Sequence, residues 1–276
     1  MPSHMTVETS ILLEDIWTPA FDLEDYKVHF ARWDSSHQPL DVWLRSHQEW
    51  MGWQEYRPYK NDFNRPRILS FMSFYHEPDT WLFGGVFDVR ERLADRYVVA
   101  LTRELAPFIG RLKITSSYRE RQTRPKLENV LGLLEVKEVL AEPYTGRHFP
   151  GFEDINLSFE ELEALMRRGR TDWQAPLSSV KGIYLITDTA THFRYIGAAY
   201  SEGGVWGRWR AYVETGHGHN VQLQALVTAH GMDYCRRHFR FSLLEHRPAS
   251  VGADIILGRE THWKEILFTR RELNSN

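Results

Sequence analysis

Between Val180 and Ala199 the chain carries two short strand-like runs, Val180–Asp188 and Phe193–Ala199, around a turn at Thr189–His192. Alternating apolar positions over such lengths mark strands, and so brief a connection forces the two to lie antiparallel as a hairpin. Each run holds a tyrosine, with Gly182 two residues before Tyr184 and Gly197 two residues after Tyr195. A lone hairpin is barely stable in water, so other elements must cover its apolar face.

The upstream part reads differently. Tyr26–Trp33, Arg67–Phe74, Trp81–Val89, Tyr97–Leu101, Phe108–Ile114 and Gly132–Leu140 are strand-like, and the pair Gly84–Gly85 signals a bulge or tight bend. The expected fold is a mostly β, barrel-like N-terminal domain. A helix is predicted over Ser158–Arg168, with Ser158 as N-cap, Glu161 as its capping-box partner and Leu162, Leu165 and Met166 on the apolar face. The polar stretch that follows, with Gly169 and Pro176, reads as a boundary. The predicted organisation is an acidic segment (1–25), a β-rich domain (26–170), a linker (171–179) and a C-terminal domain (180–276).

Charge is distributed unevenly. The net charge is −3, yet from Ser179 onward there are 12 Lys/Arg against 9 Asp/Glu, leaving 22 against 28 for the rest. A basic C-terminal third is compatible with a polyanion partner and does not by itself demand one. The single cysteine, Cys235, excludes an intrachain disulfide and a thiolate-rich zinc site. His217, His219 and His262 invite a zinc reading, but no zinc-site spacing supports it. There is no apolar stretch of membrane-spanning length and no basic segment leading into an apolar core at the N-terminus. The expectation is a cytoplasmic protein that does not enter a membrane.

Gly182-Ile183-Tyr184 and Tyr195-Ile196-Gly197 resemble the two halves of the signature of the GIY-YIG nuclease family. Three further elements follow in family order: Arg208 with Tyr212 four residues later, Glu260 within a helical stretch, and a terminal Leu273-Asn274. The resemblance covers about residues 180–276 and implies a small α+β domain, an antiparallel sheet flanked by helices, with Val205–His217 and Asp254–Leu267 as helices. It implies an endonuclease that hydrolyses DNA phosphodiester bonds, with catalytic residues Tyr184, Tyr195, Arg208, Tyr212, Glu260 and Asn274. It also implies a Mg²⁺ (or Mn²⁺) ion held by Glu260. The residue types suit that chemistry. Mg²⁺ needs few protein oxygens because it keeps waters and borrows phosphate oxygens. An arginine is a bidentate cation that does not titrate. Tyr184 matches the proposed general base, which requires a neighbouring cation or metal to lower its pKa from about 10. Each residue also has a plainer reading: core rings for the tyrosines, a solvated arginine, and for Glu260 a surface pair with Lys264.

A single such site cuts one strand, so double-strand cleavage implies a homodimer or sequential nicking. Candidate DNA contacts are Arg210 and His217 near the site, and Arg111, Lys113, Arg119, Arg121, Arg124 and Lys126 in a basic stretch of the N-terminal domain. The aromatic run Trp50, Trp53, Tyr56, Tyr59 and Phe63 reads as core or as a pocket for a flipped base. Trp81–Val89 faintly resembles strands of PUA-like β-barrels, which include readers of modified bases. Together these features point to target selection by the N-terminal domain, in restriction or genome defence. Two rival readings stay open: a DNA-binding protein with a nuclease-like fold, and a nuclease for single-stranded DNA or RNA.

Overall fold

The computed structural model describes residues 10–118 and 123–269. It comprises two compact units, Met1–Tyr144 and Thr145–Asn276. No helix among the described residues is long and apolar enough to cross a membrane.

The first unit opens with a short helix, α1 (Leu13–Ile16), then β1 (Tyr26–Ala31), α2 (Pro39–Arg45), α3 (His47–Glu55), β2 (Arg67–Ser73), β3 (Thr80–Arg92), β4 (Tyr97–Leu101), β5 (Leu112–Ser116) and β6 (Leu134–Val139). The sheet runs β1-β2-β3-β5-β6, with β4 also paired to β3. β1 and β2 are parallel, and a parallel pair needs a long crossover, which α2 and α3 supply. The bulge foreseen at the glycine pair is present. The register slips so that Ser70 faces Gly85 and Phe71 faces Phe83, leaving Gly84 as the extra residue. Trp50 packs so tightly on Gly84 that a side chain there would collide with its ring.

This sheet is open, so the barrel expected from the strand pattern is not closed. β1 and β6 are its outer strands, and each edge is covered by irregular chain. Phe30 and Val28 donate backbone hydrogen bonds to Thr123 (2.8 Å) and Pro125 (2.9 Å), while Val136 donates to Ile11 (2.7 Å). Covering an edge in this way blocks pairing with another chain without closing a ring. The acidic N-terminal segment therefore belongs to the unit from residue 10: Leu13 and Trp17 are buried, and the Trp17 indole donates to Glu104 (3.0 Å). Alternation along β1 puts Tyr26, Val28 and Phe30 into a core with Leu69, Phe71, Phe83 and Ile114. Lys27 and His29 alternate with them, and so belong to the other face.

The second unit contains β7 (Asn156–Ser158), α4 (Phe159–Arg167), α5 (Thr171–Ser178), β8 (Val180–Asp188), β9 (Arg194–Ala199), α6 (Gly204–Thr215), α7 (Val221–His230), α8 (Met232–His238), β10 (Phe239–Pro248) and α9 (Ala253–Ile266). Its antiparallel sheet has the order β7-β10-β8-β9, so the α+β expectation holds. The capping box at α4 is present: Glu161 N donates to Ser158 Oγ (3.1 Å), and Ser158 N donates to Glu161 Oε2 (2.7 Å).

The expected boundary at 171–179 is displaced to Tyr144/Thr145. The supposed linker is α5, whose Trp173 and Leu177, one turn apart, are fully buried. Its polar residues form a local lock that composition alone disguises as a loop. Arg170 pairs with Asp172 (2.7 Å) and donates to the Gly146 carbonyl (2.7 Å). β7 pairs with β10, which places the residues before α4 in this unit as well.

Candidate active site

The hairpin register determines what each signature residue does. Tyr184 lies opposite Gly197, and Ile186 opposite Tyr195. Alternation sends Tyr184, Ile186 and Tyr195 to one face of the sheet, where they pack with Trp206, Trp209 and Tyr212 of α6. Ile183, Ile196 and Ala198 go to the other face and pack on Ile256 of α9. The glycines are required by close approach. A Cβ at Gly197 would fall inside the Tyr184 ring and hydroxyl, and one at Gly182 would sit 2.5 Å from the Glu245 carbonyl. Gly197→Ala is therefore expected to cost about 1–3 kcal/mol, the range for overpacking, and to displace the Tyr184 hydroxyl. A melting curve beside the activity of the variant checks both.

Arg208 and Tyr212, one turn apart on α6, converge on that hydroxyl. Arg208 Nε donates to Tyr184 Oη (2.9 Å), Nη2 to Tyr212 Oη (3.2 Å) and Nη1 to the Gly218 carbonyl (2.7 Å). The two tyrosine hydroxyls are 2.9 Å apart. A guanidinium has five N–H groups, so after these three bonds one remains on each terminal nitrogen. The remaining N–H groups suit the oxygens of a phosphate. Gly218, with φ of 52°, brings its loop onto the Tyr212 ring, where any side chain would collide. Thr215 Oγ1 ties that loop down by accepting from Gly218 N (2.8 Å).

Tyr184 and Tyr212 are fully buried. Burial pushes both phenols well above their ordinary pKa, Tyr195 adds to this, and the pull of Arg208 in the other direction does not prevail. Arg208 alone thus does not supply the lowered pKa that a Tyr184 general base requires, and a bound metal would have to. For Arg208, burial opposes the charge, but the tyrosine oxygens hold its pKa above the ordinary value. Phenols raised in the fold stabilise it fully below pH about 10, and this contribution is lost as pH rises beyond that. Melting temperatures taken at rising pH are expected to drop above pH about 10, and less steeply for Tyr184→Phe.

Glu260 is on α9, on the same helical side as Ile256 and Trp263, which pack with Ile183, Ile196 and Ala198. Its carboxylate is only 15% exposed and pairs with Lys264, itself 13% exposed, at 3.1 Å. The pair foreseen as a surface contact is thus formed but mostly buried. Next to it stands a group that sequence reading did not find. At a bulge of β10, Glu245 accepts from Arg259 (2.8 Å) and the Trp263 indole (2.9 Å) and pairs with Arg247 (2.6 Å). Burial works to raise its pKa, but the Arg259 and Trp263 hydrogen bonds hold it below the ordinary carboxylate value. Glu245 thereby pins α9 to the sheet on both sides of Glu260. Nothing local in the sequence signals this, because the contact depends on the bulge.

The remaining candidates are scattered. Arg210 points away from Arg208, towards Glu214 (3.6 Å) and a cavity of about 430 Å³ also lined by Glu163 and Met232. His217 is half-buried in the loop after α6, with its Nδ1 accepting from His219 N (3.0 Å). In the first unit, Arg111 donates to the Leu140 carbonyl (2.8 Å), and buried Lys113 pairs with Glu77 (2.7 Å) and Glu138 (3.1 Å). Both are held by internal partners. Arg124 is buried against Asp62, and Lys126 is exposed. Arg119, Arg121 and Asn274 lie outside the described residues. Trp206 and Trp209 are core, as is Cys235.

Among the described residues no group of three or more His, Cys, Asp or Glu side chains could hold a metal. A lone carboxylate that already holds a cation, as Glu260 holds the Lys264 ammonium, still fits an ion that takes its other oxygens from water and phosphate.

No family model matches the chain, and no curated protein matches it. Among solved structures the chain is similar to the catalytic domain of homing endonuclease I-TevI, at 29% identity over 33% of this chain and 92% of that one, with a TM-score of 0.26. It is similar also to a point mutant of the catalytic domain of intron endonuclease I-TevI, at 28% identity over 34% and 89%, with a TM-score of 0.26.

Proposed function

We propose that this protein is a metal-dependent DNA endonuclease of the GIY-YIG type, hydrolysing phosphodiester bonds at the Tyr184–Arg208–Tyr212 cluster and acting in restriction or genome defence. The observation that carries this reading is the guanidinium held at three points with two N–H groups left over. A phosphodiester in the transition state gathers charge on its equatorial oxygens, and a cation fixed in advance stabilises that charge without reorganising. Arg208 is fixed in this way by Tyr184, Tyr212 and Gly218. Of the two phenol hydrogens, one closes the Tyr184–Tyr212 contact and the other can be given to water or phosphate. Tyr184 would position the attacking water by hydrogen bonding, or take its proton where a bound metal lowers the phenol's pKa. Tyr195 supports the ring cluster from β9, with its centroid 6.4 Å from that of Tyr184.

Glu260 would hold the Mg²⁺ or Mn²⁺, with Lys264 moving aside or sharing the carboxylate. Such an ion supplies Lewis-acid polarisation of the phosphate and stabilises the leaving oxygen. Arginine, tyrosine and a metal contact backbone, and backbone contacts carry no sequence information. Choice of target, including any modified base, then falls to the first unit.

The test is incubation of the protein with supercoiled plasmid, in Mg²⁺ and in EDTA. Open-circular product in Mg²⁺ alone is expected. If no nicking of plain, modified or single-stranded DNA occurs with either metal, the nuclease reading fails and a binding role replaces it.

A further inference from the structure

The aromatic run of α3 and its following loop, and the end of the basic stretch, are far apart in sequence but meet beside β1 in the first unit. The Arg124 guanidinium stands 4.5 Å from the centre of the Phe63 ring and 5.8 Å from that of Tyr56, and pairs with Asp62 (3.1 Å). Lys126 sits directly opposite Lys27 in an antiparallel bridge. Lys27 is only 6% exposed, and no hydrogen bond or ion pair joins its ammonium to a described residue. The neighbouring charges are already matched: Arg65 takes Glu128 through two bonds (2.6 and 2.8 Å), and Arg124 takes Asp62. On the same face the Gln54 amide nitrogen is buried without a partner, while its oxygen accepts from Ser70 (3.0 Å). Tyr56 and Tyr59, 64% and 93% exposed, flank the cluster, with the Lys60 ammonium 5.8 Å from the Tyr59 ring centre.

Like charges facing each other across a bridge are destabilising. Burial and Arg65 lower the Lys27 pKa, and Lys126 adds to this while Asp62 and Glu128 oppose it. An anion placed between the two lysines relieves the repulsion. Exposed tyrosines beside cations add a surface on which any base can stack.

We infer that Lys27 and Lys126 form a phosphate site for a DNA strand, with Tyr56 and Tyr59 as stacking platforms for bases that have left the duplex. The inference rests on the reading that the protein acts on DNA, and it names where the first unit holds that DNA.

The experiment uses full-length protein in EDTA at about 100 mM NaCl, with labelled single-stranded and duplex DNA and a salt series read by fluorescence anisotropy. The Lys27→Met, Lys126→Gln double variant is expected to bind the single strand about tenfold more weakly, with a salt slope shallower by about one to two. Tyr59→Ala, at a site too exposed to affect folding, is expected to lose about fivefold or more on the single strand and less on the duplex. Lys27→Met alone is expected to leave the melting temperature unchanged or raise it, because the like-charge contact with Lys126 is removed, while binding falls. Wild-type affinity and salt slope in these variants would overturn the site, even if plasmid nicking by the wild-type protein upheld the nuclease. Weakened binding without wild-type nicking would uphold the site and reject the nuclease. If the wild-type protein bound no DNA and inorganic phosphate alone raised its melting temperature, a free anion would be the occupant and the DNA site would fall.

Discussion

Replacing Arg208 with alanine is expected to lower single-turnover cleavage by about 10²–10³-fold, the scale for losing one preorganised donor to a developing oxyanion. The loss has two parts. The two N–H groups left for phosphate disappear, and so does the clamp that orders Tyr184, Tyr212 and the Gly218 carbonyl. The fold is expected to survive with a loss of about 1–3 kcal/mol, since the two hydroxyls, 2.9 Å apart, still satisfy each other while the Gly218 carbonyl loses its donor. Arg208→Lys is the sharper variant. It keeps the charge, but one ammonium on a flexible stem cannot reproduce three bonds in fork geometry. It is therefore expected to remain at least about tenfold impaired. Cleavage by the lysine variant at the wild-type rate would reduce Arg208 to a source of charge and remove the clamp from the account.

Much of the second unit was legible because its signals are local. The hairpin follows from a period of two and a short turn, the α4 cap from Ser158 and Glu161, and the Arg208–Tyr212 face from helical spacing. Other features depend on contacts between distant residues. That Gly197 must be glycine follows only from its register with Tyr184, and Gly182 likewise from the bulge of β10. α5 was read as linker because Arg170, Asp172 and Pro176 look like loop residues, although Trp173 and Leu177 carry a helical stripe. In the first unit the strands were placed nearly correctly, yet α2 and α3 were missed. Trp50 and Gln54, buried one turn apart, are the signal that could have revealed α3. The basic stretch illustrates the same limit. Composition marks Arg111 and Lys113 as ready for phosphate, but carbonyls and carboxylates distant in sequence already hold them. Lys27, which escaped notice as one lysine in an apolar strand, faces Lys126 across an antiparallel bridge.

Glu260→Gln is expected to abolish metal-dependent cleavage while DNA binding stays near wild type. Glutamine preserves size and can still accept from Lys264, so α9 remains in place, pinned by Glu245 to Arg259 and Trp263. What disappears is the negative charge, and a neutral amide is a poor ligand for a hard divalent ion that draws few ligands from the protein. The loss of Lewis-acid and leaving-group assistance from a bound ion is worth several kcal/mol of barrier, at least about 10²-fold in rate. Glu260 is the one residue to which the proposal assigns the metal, so the catalytic reading depends on it most. The deciding measurement is the single-turnover nicking rate of supercoiled plasmid by wild-type and Glu260→Gln protein across a Mg²⁺ series, with gel shifts in EDTA run alongside. The account predicts equal shifts and a wild-type rate that rises with Mg²⁺ while the variant stays flat near zero; a variant that nicks at the wild-type rate with the same Mg²⁺ dependence would contradict it.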